Sequence, residues 1–157
     1  HRYGACPVNV IPHEQWQCNE WPKNWQDIAK CYRILEAYDC TSFQEIVSAI
    51  LDGFPVCLGV NLSRNDVLDV GKDGFLPINS SGHYAHALLG IGVKRYKNLW
   101  WIEAASSWGV NWANEGICYI PEYKFHNTLL DAWALRVTTY CQENYNVASR
   151  TTSNATK

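Results

Sequence analysis

Five His and seven Cys are the side chains of this 157-residue chain best suited to move a proton or attack a carbonyl near neutral pH. A thiol attacks only as thiolate, and a free Cys is only about a few per cent ionised there unless a helix N-terminus or an imidazolium lies beside it. None of Cys6, Cys18, Cys31, Cys40, Cys57, Cys118 and Cys141 stands in such a helix-start setting, so the nucleophile stays unassigned. Cys57 and Cys118 fall inside apolar runs and read as buried thiols. No C-x-x-C pair occurs, which argues against a zinc or thioredoxin-type centre, and an odd count leaves at least one thiol free or paired outside the chain. Among the His, His86 opens the apolar run Ala87-Leu88-Leu89-Gly90-Ile91-Gly92-Val93. Taken alone, a His at a strand start more often bonds a nearby backbone group than does chemistry. His83 is the neighbouring alternative, and His1, His13 and His126 lie in polar or irregular surroundings.

The elements that must place His86 can be read from spacing. Pro7, Pro12 and Pro22 punctuate an irregular lead-in over residues 1–22. Trp25, Ile28, Ala29, Tyr32 and Leu35 fit one helix over 25–38, with Asn24 as cap and Asp27 in the first turn. Ser42-Phe43-Gln44-Glu45 is a capping box opening a second helix with Phe43, Ile46, Val47, Ile50 and Leu51 on one face, stopped at Gly53. Residues 54–60 are nearly all apolar and read as a buried strand, and 61–82 as a long surface loop with a turn at Asp73-Gly74. Strands follow at 86–93 and 99–105, joined by a polar connection over 94–98, then at 116–120. A connecting segment over 121–130 leads to a closing strand over 132–140.

The second of those paired strands runs Leu99-Trp100-Trp101-Ile102-Glu103-Ala104-Ala105 into Ser106-Ser107-Trp108-Gly109-Val110-Asn111-Trp112-Ala113. With His86-Ala87 and Gly92 upstream, this block resembles the His-Ala-(five residues)-Gly … Asn-Ser-Trp-Gly-x-x-Trp-Gly block of papain-like cysteine peptidases. Ala87 and Gly92 fall into that register only from His86. The resemblance implies His86 as general base, Ser106 at the position of the Asn that orients it, and Trp108, Gly109 and Trp112 as the supporting aromatic turn. It departs from the family at Ser106 and at Ala113, where the second Gly usually stands. Ser is shorter than Asn, so Ser106 reaches the imidazole only if the strand lies close or water intervenes; a small residue filling space in a disused site fits it equally. If the register is right, His86 and Ser106 sit on adjacent antiparallel strands and one sheet face, about 5 Å apart. Trp108 would then be mostly buried, with truncation to Ala costing about 3–5 kcal/mol.

The implied fold is α+β: the antiparallel sheet half of the papain-like fold plus one or two helices. One partial domain is expected over 1–140, divided into an irregular part (1–22), a helical part (23–53) and a sheet (54–140), with a flexible polar tail over 141–157. The family's Cys-bearing helix has no counterpart in this chain, and a sequence opening on His1 with no Met reads as a processed product, an excised domain or a partial chain. Peptide-bond hydrolysis is therefore expected only if a missing N-terminal segment or a companion chain supplies the Cys, with a peptide or protein as substrate. The different class of reading is a catalytically inactive module packed into a larger assembly such as a virion or surface complex. On either reading, the apolar face around His86 and Trp108 is expected to be covered. A net charge of −2 without a basic stripe argues against nucleic acid or an anionic membrane as partner, and no apolar run approaches the roughly 18 residues of a membrane span. No Gly-x-Ser-x-Gly elbow or phosphate-binding glycine motif occurs, and no metal or other cofactor is implied.

Overall fold

The computed structural model describes residues 4–6, 11, 21–77 and 82–137. They belong to two compact units, His1–Glu36 with Val137–Lys157, and Ala37–Arg136. The tail expected over 141–157 lies outside the described residues. In the first unit, helix α1 (Trp25–Ala29) is a single turn after Asn24, whose side chain makes no capping bond. Ala5 N–H donates to the Tyr32 carbonyl at 3.1 Å, and the Cys6 thiol donates to the Trp25 carbonyl at 3.2 Å. The long helix expected over 25–38 is not formed. Ile34–Asp39 is instead strand β1, next to β6 at the sheet edge. Ile34, Leu35 and Tyr38 satisfy a helical stripe and a short strand alike, and ladder pairing decides between them.

Helix α2 (Phe43–Leu51) opens on Ser42, whose Oγ accepts from Glu45 N–H at 3.2 Å. The Glu45 carboxylate turns past the cap to Thr41, accepting from its N–H at 2.7 Å and its hydroxyl at 2.9 Å. Those bonds hold the carboxyl below the ordinary Glu range. Phe43, Ile46 and Ile50 are buried, while Leu51, at the rim of the stripe, is exposed. Strand β2 (Val56–Leu62) alternates strictly: Val56, Leu58, Val60 and Leu62 point inward and Cys57 outward. Cys57 is thus not the buried thiol that its apolar neighbours suggest; period-two alternation outranks local hydropathy.

The stretch expected to be a surface loop holds a third helix, α3 (Arg64–Leu68), and the buried Leu76. Its capping box is reciprocal. Asp66 N–H donates to Ser63 Oγ at 3.1 Å, and Ser63 N–H donates to Asp66 Oδ2 at 2.7 Å. Strands β3 (Tyr84–Tyr96) and β4 (Leu99–Ala105) are joined by Lys97 and Asn98 alone, both at positive φ, as a tight two-residue hairpin requires. The connection is shorter than expected because the charged residues stay in the ladder. Lys94 Nζ lies 4.8 Å from the Tyr119 ring centre, and the Arg95 guanidinium lies 5.7 Å from that of Trp100. Strand β5 (Ile117–Pro121) leads into helix α4 (Glu122–Thr128), where only a connection was expected, and then into β6 (Leu129–Val137).

The sheet order is β1-β6-β2-β3-β4-β5, with β2–β3, β2–β6, β3–β4 and β4–β5 antiparallel. Phe43 of α2 meets Phe125 of α4 edge to face at 5.5 Å above a core of Val56, Leu58, Ile102 and Ile120. The architecture is α+β, an antiparallel sheet with a few short helices.

One buried ion pair crosses this core. Lys124 Nζ donates to Asp66 Oδ1 at 2.7 Å and to the Pro77 carbonyl at 3.0 Å, and both charged side chains are almost free of solvent. Removing one partner strands the other charge in a low-dielectric site. Lys124→Met should therefore cost about 3–5 kcal/mol in urea unfolding; a variant with the wild-type midpoint would contradict it.

Candidate active site

His86 enters its site because β3 is long and paired on both sides. Val60 faces it across β2, and on the other side Leu89 and Gly90 pair with Ala105 and Ala104 of β4. The start of β3 is fixed by Gly82. A Cβ there would collide with the Asn61 carbonyl oxygen, so only glycine lets the chain approach the end of β2 so closely. His83 N–H then donates to the Leu62 carbonyl at 3.1 Å. Along β3, His86 shares a side with the buried Leu88 and Gly90 and stands at the open end of that face.

Ser106, just past β4, meets it. The separation between His86 Nε2 and Ser106 Oγ is 3.3 Å, a direct contact requiring no water. The Ser106 backbone is pinned by its N–H donating to the Gly116 carbonyl at 2.9 Å, and Oγ also accepts the Trp108 N–H at 3.2 Å. With one lone pair so used, the hydroxyl keeps another lone pair and its own proton. It can therefore accept from a protonated imidazole or donate to a neutral one. With Nε2 held by Ser106, Nδ1 is the ring nitrogen left for another group.

Trp108 stacks on the imidazole, with ring centres 4.1 Å apart and planes 15° from parallel. Trp112 meets Trp108 edge-on at 4.7 Å and donates its Nε1–H to the Val67 carbonyl at 2.9 Å. Gly109, between the two indoles, adopts φ +85, and a Cβ at that position would meet nothing within 4 Å. The turn needs glycine for its backbone and not for space. Trp108 is 39% exposed, not mostly buried as expected. It lies on the rim, covering His86 with one ring face, instead of filling the core. Val110 and Tyr84, at 72% and 65% exposure, also leave apolar surface open. Burial lowers the His86 pKa below the ordinary histidine value.

In the second unit, Cys57 and Cys118 lie away from this site. Cys57 pairs with Leu89 and Trp133 on the sheet face opposite His86. Cys118 is in the core, its pKa pushed up to about 12 by burial and then by the Asp66 charge. Burial also raises Cys40 and Cys6. Cys31 is disulfide-bonded. Cys18 and Cys141 lie outside the described residues. Among the described residues, no group of three or more His, Cys, Asp or Glu side chains could hold a metal ion. Asp66 and Lys124 were not singled out from the sequence. The signal was present as Ser63-Arg64-Asn65-Asp66, a capping-box spacing without the apolar periodicity that usually accompanies it.

No protein-family profile matches this chain, and no curated protein matches its sequence. Solved structures do match in shape. Xylellain, a cysteine protease from Xylella fastidiosa, superposes with a TM-score of 0.69 at 17% identity, over 87% of this chain and 57% of that one. Digestive procathepsin L 3 of Tenebrio molitor larval midgut gives 0.67 at 17% identity, over 86% and 45%. The bromelain protease of Ananas comosus gives 0.60 at 14% identity, over 85% and 63%. At these identities the likeness is one of fold, and this chain matches the β-sheet half of the papain-like fold. The chain spans roughly half the length of the structures it matches.

Two outcomes follow. Trp108→Ala should cost only about 1–2 kcal/mol, as befits a stacked but half-open ring; a loss above about 3 kcal/mol would mean the indole carries core packing. The second concerns pH. The folded chain binds the His86 proton less readily than the unfolded chain, so His86 adds stability above the ordinary histidine pKa, and that stability fades as pH falls through it. His86→Gln should flatten the fall in thermal midpoint between about pH 7 and pH 5; an unchanged slope would assign it to other groups.

Proposed function

We propose that this chain is the base-bearing half of a papain-like cysteine peptidase site, with its thiolate and oxyanion donor supplied by sequence beyond these 157 residues or by a companion chain. The observation that carries this reading is the 3.3 Å contact of His86 Nε2 with Ser106 under the Trp108 ring. The papain-like fold adds to it, because that contact lies at the end of two paired strands of the shared sheet.

The chemistry follows from the geometry. Nδ1 of neutral His86 takes the proton of an incoming thiol, and the thiolate attacks the peptide carbonyl. Nε2–H donates to Ser106 Oγ and holds the imidazolium in plane. As the C–N bond breaks, Nδ1 returns the proton to the leaving amine, and water then cleaves the thioester. Trp108 keeps water off one ring face, which strengthens the hydrogen bond beneath it. The substrate class is a peptide or protein.

The test is labelling with a thiol-directed peptidyl inhibitor, read by intact and peptide mass spectrometry. The 157-residue chain alone should take up none. A preparation that includes the flanking sequence of the natural gene product should label one Cys outside this chain, and His86→Ala should abolish that labelling. Labelling of Cys18, Cys141 or any other thiol of the chain itself would overturn the reading of a split site. Absence of labelling in every context would leave a papain-like module without catalysis.

A further inference from the structure

The His86 ring stacks on Trp108, Trp108 meets Trp112 edge-on, and Trp112 is tied to Val67 of helix α3, 45 residues away in sequence. Trp108 is anchored at its backbone by Ser106 Oγ, but the residue is 39% exposed and its ring is steadied from the side by the edge-on contact with Trp112. Trp112 in turn is fixed by its Nε1–H on the Val67 carbonyl, at 2.9 Å. That carbonyl lies in the last turn of α3, where backbone oxygens have no partner within the helix and are open to a side-chain donor.

A helix of five residues does not hold itself in water. What holds α3 is Asp66. One of its carboxylate oxygens takes the Ser63 N–H at 2.7 Å, and the other takes Lys124 Nζ at 2.7 Å. Lys124 also donates to the Pro77 carbonyl at 3.0 Å, so one ammonium joins α4, α3 and the segment after α3. Every contact from Lys124 to the imidazole is thus a direct one: ion pair, helix, hydrogen bond, edge contact, stack.

We propose that the buried Asp66–Lys124 pair positions the His86 imidazole through the Val67 carbonyl, Trp112 and Trp108. Its purpose rests on the peptidase reading above, whereas its physical content, the place and tilt of one ring, does not. Asp66, Lys124 and Trp112 are positioning residues; none of them touches the reacting atoms.

The experiment is NMR of the full 157-residue chain, following the carbon-bound ring protons of His86. A ring stacked 4.1 Å from an indole sits in its shielding cone, so these resonances should lie upfield, and Trp108→Ala should move them downfield. Trp112→Phe, which keeps an aromatic edge but loses the bond to Val67, should move them part of the way. So should the double variant Asp66→Asn with Lys124→Met, which removes the pair without leaving a lone buried charge. Lys124→Arg, which keeps the charge, should retain the upfield position. Phe43→Leu, a core change with no place in this chain of contacts, should leave it unmoved although it destabilises the fold. If Trp112→Phe or the folded double variant leaves the His86 resonances in place, the proposal is overturned. Should the double variant fail to fold, Trp112→Phe alone decides, and unmoved resonances overturn the proposal equally. No peptidase activity enters the readout, so a failure to find the thiolate leaves this result standing, and the reverse also holds.

Discussion

Lys124 and Asp66 lie 2.7 Å apart with almost no solvent around them, and the arrangement of the site follows from that pairing. A charge so placed is costly unless its partner and its hydrogen bonds are all present. Asp66 has both oxygens engaged, and Lys124 finds a carbonyl as well as the carboxylate. The pair fixes where a one-turn helix sits, the helix offers a carbonyl, and an indole follows that carbonyl toward the open end of β3. The same negative charge also helps keep the core thiol of Cys118 protonated.

At the site itself, Ser106 stands where the papain-like pattern that the sequence resembles has Asn. An Asn amide offers a fixed acceptor to the imidazole. Ser106 offers an oxygen that accepts the Trp108 N–H and, by rotating its proton, serves either protonation state of His86. Burial favours the neutral ring. An anion at Nδ1 would act against that preference.

Much of the sheet was legible in the sequence because period and turn chemistry are local. The apolar runs at 54–60 and 99–105 and the Ser42 cap identify their elements without help. The helix read over 25–38 failed because six residues of edge strand satisfy both periods, and a distant strand made the choice. Helix α3 was hidden because an ion pair 58 residues long in sequence stabilises it, not an apolar face. The pairing of His86 with Ser106 was readable from register, whereas the half-open placement of Trp108 was not: exposure depends on what stands over a ring, which spacing does not encode. Cys57 shows the same limit from the other side, since two apolar neighbours place a residue in a strand without saying which face it occupies.

If the proposed peptidase site is right, Nδ1 of His86 faces a thiolate supplied by another segment or chain. The most direct measurement is the His86 pKa by NMR in the chain joined to whichever segment or companion chain supplies the thiol, before and after the thiols are capped as methyl disulfides. The account predicts a pKa above the ordinary histidine value while the thiolate is free, because an adjacent anion favours the imidazolium, and a drop below that value once the sulfur is capped. A His86 pKa that stays depressed and does not respond to capping would contradict it.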